Sequence, residues 1–120
     1  MTTTDLGSSV QLYIRFLELA QTQKVCPNGK DLTPPELHLL EDVALRHFEN
    51  RAYTVSEALA LQHLGSPATL HKRLKRLRDW GLLSFEQDPS DHRTKYLVAT
   101  PLTIAHFERM SQAMALAMQC

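Results

Sequence analysis

Residues 65–81, GSPATLHKRLKRLRDWG, carry the strongest structural signal in the sequence. Ser66 suits the N-cap of a helix, and Pro67 suits its first position, where the missing N–H of proline does no harm. Leucines then recur at spacings of four and three residues, which places them on one side of a helix. Five of the other positions are lysine or arginine, and Gly81 suits the residue that ends a helix. The stretch therefore predicts an amphipathic helix over 67–80 with an apolar side and a cationic side.

The neighbouring segments complete a helix-turn-helix with a wing. A short helix predicted over 56–64 ends at Gly65, so two helices are joined by about three residues that include a glycine. After the second helix, strand-forming residues predict a β-hairpin over 82–99, and the polar, turn-rich segment 87–94 forms its long tip. The sequence thus predicts a helix-turn-helix over 54–80 followed by a wing.

Three more helices are predicted outside this unit. Segment 8–23 is apolar on two faces and needs cover on both. Thr33 and Glu36 form a capping box, which predicts another helix after them. Segment 101–118 carries a wide apolar stripe rich in methionine. We predict one domain over 1–120, mainly α with a small β-hairpin, in which the first and last helices are dimerisation helices covered by a two-fold partner.

Composition and charge exclude several classes of protein. The formal net charge is zero, yet residues 1–65 carry a net charge of −3 and residues 66–99 one of +3, so the cations concentrate on the helix and wing. No apolar run approaches the ~20 residues of a membrane span. The N-terminus has no secretory pattern and two cysteines make no disulfide framework, so we expect a soluble cytoplasmic protein with no membrane partner. A glycine-rich phosphate loop, a His-Glu-x-x-His motif and a nucleophile constellation are all missing, which indicates no enzyme, no cofactor and no metal centre.

Some side chains leave two interpretations open. Cys26, near Lys24 and Lys30, is either a redox-sensing thiol or an ordinary one. The basic face of the predicted helix is either a phosphate-contacting surface or a solvated face. Four side chains have metal-binding chemistry, although their spacing matches no compact motif: Cys26, His38, Glu41 and His106.

Three parts of the sequence, between Leu32 and about His106, resemble the multiple-antibiotic-resistance regulator (MarR) family. They are the helix-turn-helix at 54–70, the helix exit LRDWGLL at 77–83, and the wing motif DPSDHR at 88–93 followed by Ala99-Thr100. The family's wing commonly reads Asp-x-x-Asp-Arg-Arg, so His92 stands here in place of the first arginine. The chain is also shorter than is usual for the family. The resemblance implies DNA binding and dimerisation, and it leaves a small-molecule effector open as a further partner.

The resemblance implies a transcriptional regulator that binds specific sequences of double-stranded DNA. The alternative is a winged-helix module that binds protein without specific DNA binding. Helix 67–80 would lie in the major groove of a pseudo-palindromic operator with half-sites ~10 bp apart, and segment 87–94 at the minor groove. Ser66 and nearby amides would hold a phosphate. Expected base contacts come from Ala68, Thr69, Lys72 and Arg73, and expected phosphate contacts come from Lys75, Arg76 and Arg78. Arg93 would enter the minor groove beside His92, while His71 is either a DNA contact or a solvated side chain.

Overall fold

The structure is a computed structural model that describes residues 8–23 and 31–119. Within these ranges it contains five α-helices, a short 3₁₀ turn and one two-stranded sheet. In chain order the elements are α1 (Ser8–Gln21), α2 (Pro34–Phe48), α3 (Val55–Leu59), the 3₁₀ turn (Gln62–Leu64), α4 (Pro67–Asp79), β1 (Leu83–Gln87), β2 (Lys95–Ala99) and α5 (Pro101–Met118). This mainly helical architecture with one hairpin confirms the fold class predicted from the sequence.

Local sequence signals start the helices. Thr33 and Thr54 begin α2 and α3 through capping boxes, in which the threonine hydroxyl accepts from the N–H of a glutamate whose carboxylate accepts from the threonine N–H. Ser66 and Thr100 cap α4 and α5 in the same position, each followed by a proline in the first turn. Gly81 follows α4 with φ 78°, a left-handed conformation that glycine adopts without steric cost.

The leucine stripe of α4 anchors this helix in the core. Leu70, Leu74 and Leu77 are at most 2% exposed. The other residues of this core come from α2, α3, the segment between them and the hairpin region: Leu39, Leu40, Val43, Tyr53, Ala58, Leu82, Leu83 and Leu97. Burial of three leucines on one side fixes which side of α4 remains available to solvent.

The first helix of the helix-turn-helix is shorter than predicted. The sequence predicts one helix over 56–64, but α3 ends at Leu59 and the 3₁₀ turn follows. Leu59, Leu61 and Leu64 all pack against the core, whereas a continuous helix would turn position 61 about 200° away from position 59. The helix therefore breaks so that all three leucines can point inward.

The hairpin pairs in one antiparallel register, from Leu83 opposite Ala99 to Gln87 opposite Lys95. Two bonds attach it to the preceding elements. The N–H of Leu97 donates to the carbonyl oxygen of Tyr53 at 2.9 Å, and the N–H of Ala99 donates to Nδ1 of His47 at 3.1 Å. The position of the wing is thus set by α2 and by the entrance to α3.

Helices α1 and α5 pack against each other. Nε of Arg15 on α1 donates to the carbonyl oxygen of Ala117 near the end of α5 at 3.0 Å. The radius of gyration is 17.2 Å, against about 13.6 Å expected for a compact domain of this length. The elongation is consistent with terminal helices that have much of their surface outside the winged unit.

Candidate nucleic-acid interface

Helix α4 has a buried apolar side and an exposed polar side, as the sequence predicts. Ala68, His71, Lys72 and Lys75 are exposed on the side opposite the leucines. His71, Lys72 and Lys75 make no hydrogen bond or ion pair within the part of the chain that the structure describes. Their side chains are therefore available to a ligand outside the protein.

The N-terminus of α4 is capped by its own side chains. Oγ of Ser66 accepts from the N–H of Thr69 at 3.3 Å and donates to Oγ1 of Thr69 at 3.0 Å. The Thr69 hydroxyl oxygen thus takes part in the cap as an acceptor. Pro67 has no N–H, so the Ala68 N–H is the first-turn donor that remains for an anion.

Arg73 points back to the turn that precedes α4. Its Nη1 donates to the carbonyl oxygen of Leu64 at 2.8 Å in a half-buried position. Gly65 adopts φ 146°, and a Cβ there would lie 3.2 Å from the same Nη1 atom. The arginine therefore satisfies a carbonyl group that the broken helix leaves without a partner. The sequence predicts Arg73 at a base edge, whereas the structure places its guanidinium against the protein backbone.

Arg76 contacts two protein groups. Its Nε lies 3.0 Å from Oε2 of Glu36, whose side chain is 5% exposed. Its guanidinium carbon lies 4.4 Å from the centroid of the Trp80 ring, within the range of a cation–π contact. The sequence predicts Arg76 at a phosphate, whereas here its guanidinium is held by the protein.

Arg78 faces the wing across an open groove. Its guanidinium carbon lies 4.9 Å from the centroid of the Phe85 ring, and its Nε lies 3.8 Å from Oδ1 of Asp79. The groove has a volume of about 620 Å³, and it is lined by the entrance of α3, by α4 and by the hairpin: Thr54, Val55, Ser56, Arg78, Phe85, Arg93, Thr94 and Lys95. Cations from a helix and from a hairpin thus share one groove.

Asp88 organises one side of the wing tip. Its Oδ1 accepts from the N–H and from the hydroxyl of Ser90, each at 2.8 Å, and its Oδ2 accepts from the hydroxyl of Tyr96 at 2.9 Å. The backbone bond from Ser90 is the main cause that lowers the pKa of Asp88 below its ordinary value. The bond to the carboxylate in turn raises the pKa of Tyr96. The wing tip is therefore a fixed structure rather than a loose loop.

Asp91 sets the turn that presents the wing cation. It accepts from the N–H of Arg93 at 3.0 Å and from the hydroxyl of Thr94 at 3.0 Å. Nε2 of Gln87 donates to the carbonyl oxygen of His92 at 2.8 Å. The side chain of Arg93 is 95% exposed, and His92 is also exposed. The two aspartates of the wing motif thus fix the backbone so that these two side chains face solvent.

Sequence reasoning missed several contributors to this surface. Lys95 and Ser56 line the groove, although neither is among the predicted site residues. Lys95 directly follows the predicted tip segment, so its position was a usable signal. The sequence predicts Glu36 only as part of a helix cap, but it is also the ion-pair partner of Arg76. A partner forty residues away leaves no local pattern in the sequence.

A second candidate surface lies on α1 and α5. An apolar cavity of about 230 Å³ between the helices is lined by Ser9, Leu12, Tyr13, Phe16, Met114, Ala117 and Met118. The large apolar side chains exposed on these helices are Val10, Leu12, Tyr13, Ile14, Leu17, Ile104, Met114, Leu116 and Met118. Large exposed apolar side chains that concentrate on two packed helices indicate an interaction surface. It fits the predicted dimerisation helices, and their pairing with a second copy stays a prediction.

Side chains elsewhere bear on the remaining sequence predictions. Among the described residues, no three histidine, cysteine or acidic side chains come together to hold a metal ion. Cys26, with its two neighbouring lysines, lies outside the described residues, as does Cys120.

His106 is 5% exposed and its Nδ1 has no hydrogen-bond partner within the described residues. Burial, and secondarily Arg109, lowers the pKa of His106. In the described part of the chain, no helix combines the length and apolar character needed to cross a membrane.

Several solved structures share this arrangement of elements, among them a protein described as a transcriptional regulator. Tm0710 from Thermotoga maritima is 18% identical, with 90% of this chain and 68% of that chain covered and a TM-score of 0.60. MepR of S. aureus, solved as a complex with DNA, is 18% identical, with 92% and 79% covered and a TM-score of 0.56. MarR is 19% identical, with 91% and 69% covered and a TM-score of 0.53.

No protein-family model matches the sequence, and no curated protein matches it either. The solved structures are less than 25% identical, so their likeness establishes the fold. The order of the elements, the hairpin after α4 and the flanking terminal helices agree with it. This chain therefore has the winged helix-turn-helix fold of the MarR-family transcriptional regulators.

Proposed function

We propose that this chain is a cytoplasmic, non-enzymatic transcriptional regulator that binds specific double-stranded DNA as a homodimer. The observation that carries the proposal is the groove between α4 and the wing, in which Arg78, Arg93 and Lys95 lie together. Cations that line one open channel suit a polyanion with regularly spaced phosphates. The fold supports the same use, since MepR was solved as a complex with DNA.

Helix α4 reads the major groove with the side opposite its leucines. Ala68 and the methyl group of Thr69 contact thymine methyl groups, and Lys72 bonds to guanine acceptors. Lys75 and His71 lie beside them and bind phosphate. Ser66 places the Ala68 N–H at the positive end of the helix dipole, where it holds a further phosphate.

The wing completes the contact along the neighbouring minor groove. Arg93, whose side chain is almost fully exposed, enters a narrow A/T-rich segment where the negative potential is concentrated. His92 lies beside it on the same tip. Arg78 and Lys95 bind the phosphates between the two grooves, which fixes the position of α4 without reading sequence.

The dimer forms through α1 and α5. A second copy covers the apolar side chains that these helices expose, as an isologous two-fold contact requires. Two copies then present two α4 helices to a pseudo-palindromic operator whose half-site centres are about 10 bp apart. A small-molecule effector stays a prediction for this dimer.

The test is a selection from a random duplex library, followed by a salt titration of the selected duplex. Three phosphate-binding cations in each subunit, Lys75, Arg78 and Lys95, make six contacts in a dimer. At about 0.9 per contact, log K should fall against log salt with a slope near −5.4, which is roughly 10³-fold between 50 and 200 mM salt. We expect palindromic sites from the selection and a slope of this size from the titration.

Two variants sharpen this experiment. Lys95→Gln removes one contact per subunit and should reduce the slope by about 1.8. Arg51→Gln is the matched control, because Arg51 is an exposed cation outside the groove that pairs with Glu49. No enrichment of any duplex, or binding that ignores salt, would instead support the alternative of a protein-interaction module.

A further inference from the structure

The contact between Arg76 and Glu36 links the recognition helix to the start of α2. Oε1 of Glu36 accepts from the Thr33 N–H at 2.9 Å, and Oε2 lies 3.0 Å from Nε of Arg76. Both carboxylate oxygens are therefore used, one for the cap of α2 and one for α4. The Trp80 ring covers the guanidinium from another side at 4.4 Å.

The two partners differ in their access to water. The side chain of Glu36 is 5% exposed, whereas that of Arg76 is 50% exposed. When a buried carboxylate loses the cation it pairs with, the folded protein is strongly destabilised. This free-energy cost favours retention of the ion pair. The exposed half of Arg76 nevertheless lies one helical turn beyond Lys72, since the two positions are four residues apart. Without Glu36, the guanidinium could turn to the side of the helix that faces DNA.

We propose that Glu36 withholds Arg76 from DNA and so lowers binding to arbitrary sequence. This inference rests on the proposed function. Phosphate contacts add affinity without reading sequence, so one cation held back in each subunit reduces binding to every duplex. The same pair fixes how α4 lies on α2, so its loss also disturbs the base contacts of Lys72. Glu36 thus acts as an intramolecular competitor of phosphate and as a positioning residue for the reading helix.

The decisive variant is Glu36→Gln. Its amide oxygen can still accept from the Thr33 N–H, so the cap of α2 is kept while the charge is lost. We expect tighter binding to random duplex DNA and a salt slope steeper by about 0.9 per subunit, or about 1.8 for a dimer. Binding to the selected operator should gain less, so the ratio of specific to random affinity should fall.

Arg76→Gln and the double variant provide the controls. In the wild-type background Arg76→Gln should leave the salt slope unchanged, because Arg76 does not touch DNA there. In the Glu36→Gln background the same change should return the slope to the wild-type value. A slope that falls by about 1.8 when Arg76 alone is changed would overturn the inference, and so would a Glu36→Gln slope equal to the wild-type slope.

A measurement on the wild-type protein covers the case in which Glu36→Gln does not fold. The Nε–Hε group of Arg76 gives its own NMR signal, which Arg76→Lys identifies. We expect this signal to keep its position when operator DNA is added, whereas its displacement by DNA overturns the inference. If the wild-type protein binds no duplex at low salt, the proposed function fails and takes this inference with it; if it binds and only the Glu36 results disagree, this inference alone fails.

Discussion

Arg73 tests whether the basic residues of α4 fall into two groups, those held by the protein and those available to DNA. Arg73→Ala removes the bond from Nη1 to the carbonyl oxygen of Leu64, which is 2.8 Å long and half-buried. A hydrogen bond that involves a charged group contributes about 1.5–3 kcal/mol, so we expect a loss near 2 kcal/mol. Unfolding entropy of about 2.1 cal/mol/K per residue converts this loss to a fall in Tm of roughly 8 °C for a chain of this length. Lys72→Ala, one residue away and exposed, should change stability by less than about 0.5 kcal/mol.

The assay is thermal unfolding followed by circular dichroism at one fixed protein concentration, since dimerisation makes Tm depend on concentration. Arg73→Lys keeps a cationic N–H donor and should recover part of the lost stability. A residue that only binds DNA would not change the Tm of the protein without DNA. DNA binding by the same variants gives the second readout: Lys72→Ala should relax base preference at one position of the operator. If Arg73→Ala melts with the wild type and instead relaxes base preference, the assignment of Arg73 to the turn is refuted.

Three further predictions concern other parts of the molecule. Burial lowers the pKa of His106, so the unfolded chain binds its proton more readily and stability should fall as the pH drops below the ordinary value near 6.5; His106→Leu should reduce this dependence in denaturant titrations, and an unchanged dependence would contradict the assignment to His106. Asp88→Ala should speed amide exchange at the wing tip and weaken DNA binding while Tm changes little, and unchanged exchange would contradict the role given to that carboxylate. Met114→Glu on the exposed face of α5 should give monomers in sedimentation, and Gln62→Glu on the 3₁₀ turn should leave dimers; monomers in the wild type would refute the proposed pairing.

Most of the winged unit could be predicted because its signals are local. Leucine spacing, the caps at Thr54 and Ser66, and Gly81 each act within one or two turns of the chain. The hairpin could be predicted for the same reason, because the turns at Asp88 and Asp91 come directly between two short strands. Local physical causes leave local patterns, and these were the features that the structure confirmed.

The break after α3 and the contacts of the α4 arginines could not be predicted from local patterns. The break depends on where Leu61 must point, which only the assembled core decides. Arg73 and Arg76 have the same local pattern as Lys72 and Lys75, and they differ because Leu64 and Glu36 lie within reach in the fold. The pattern of cations along a helix therefore does not show which of them the protein itself holds.

The wing should contribute more to DNA affinity than the basic pattern of α4 suggests. Because two of the helix cations are held by the protein, the affinity for DNA should depend strongly on the position of the hairpin relative to α4. The turn between them is bonded to the start of α5, since Oγ1 of Thr100 donates to the carbonyl oxygen of Gly81 at 2.6 Å and Oγ1 of Thr103 donates to that of Leu82 at 2.7 Å. We therefore expect a rotation of α5 to move this turn. These bonds connect the helix proposed to form the dimer to the helix proposed to read DNA. A change in how two copies pair should therefore alter the width of the cationic groove and with it the affinity for DNA.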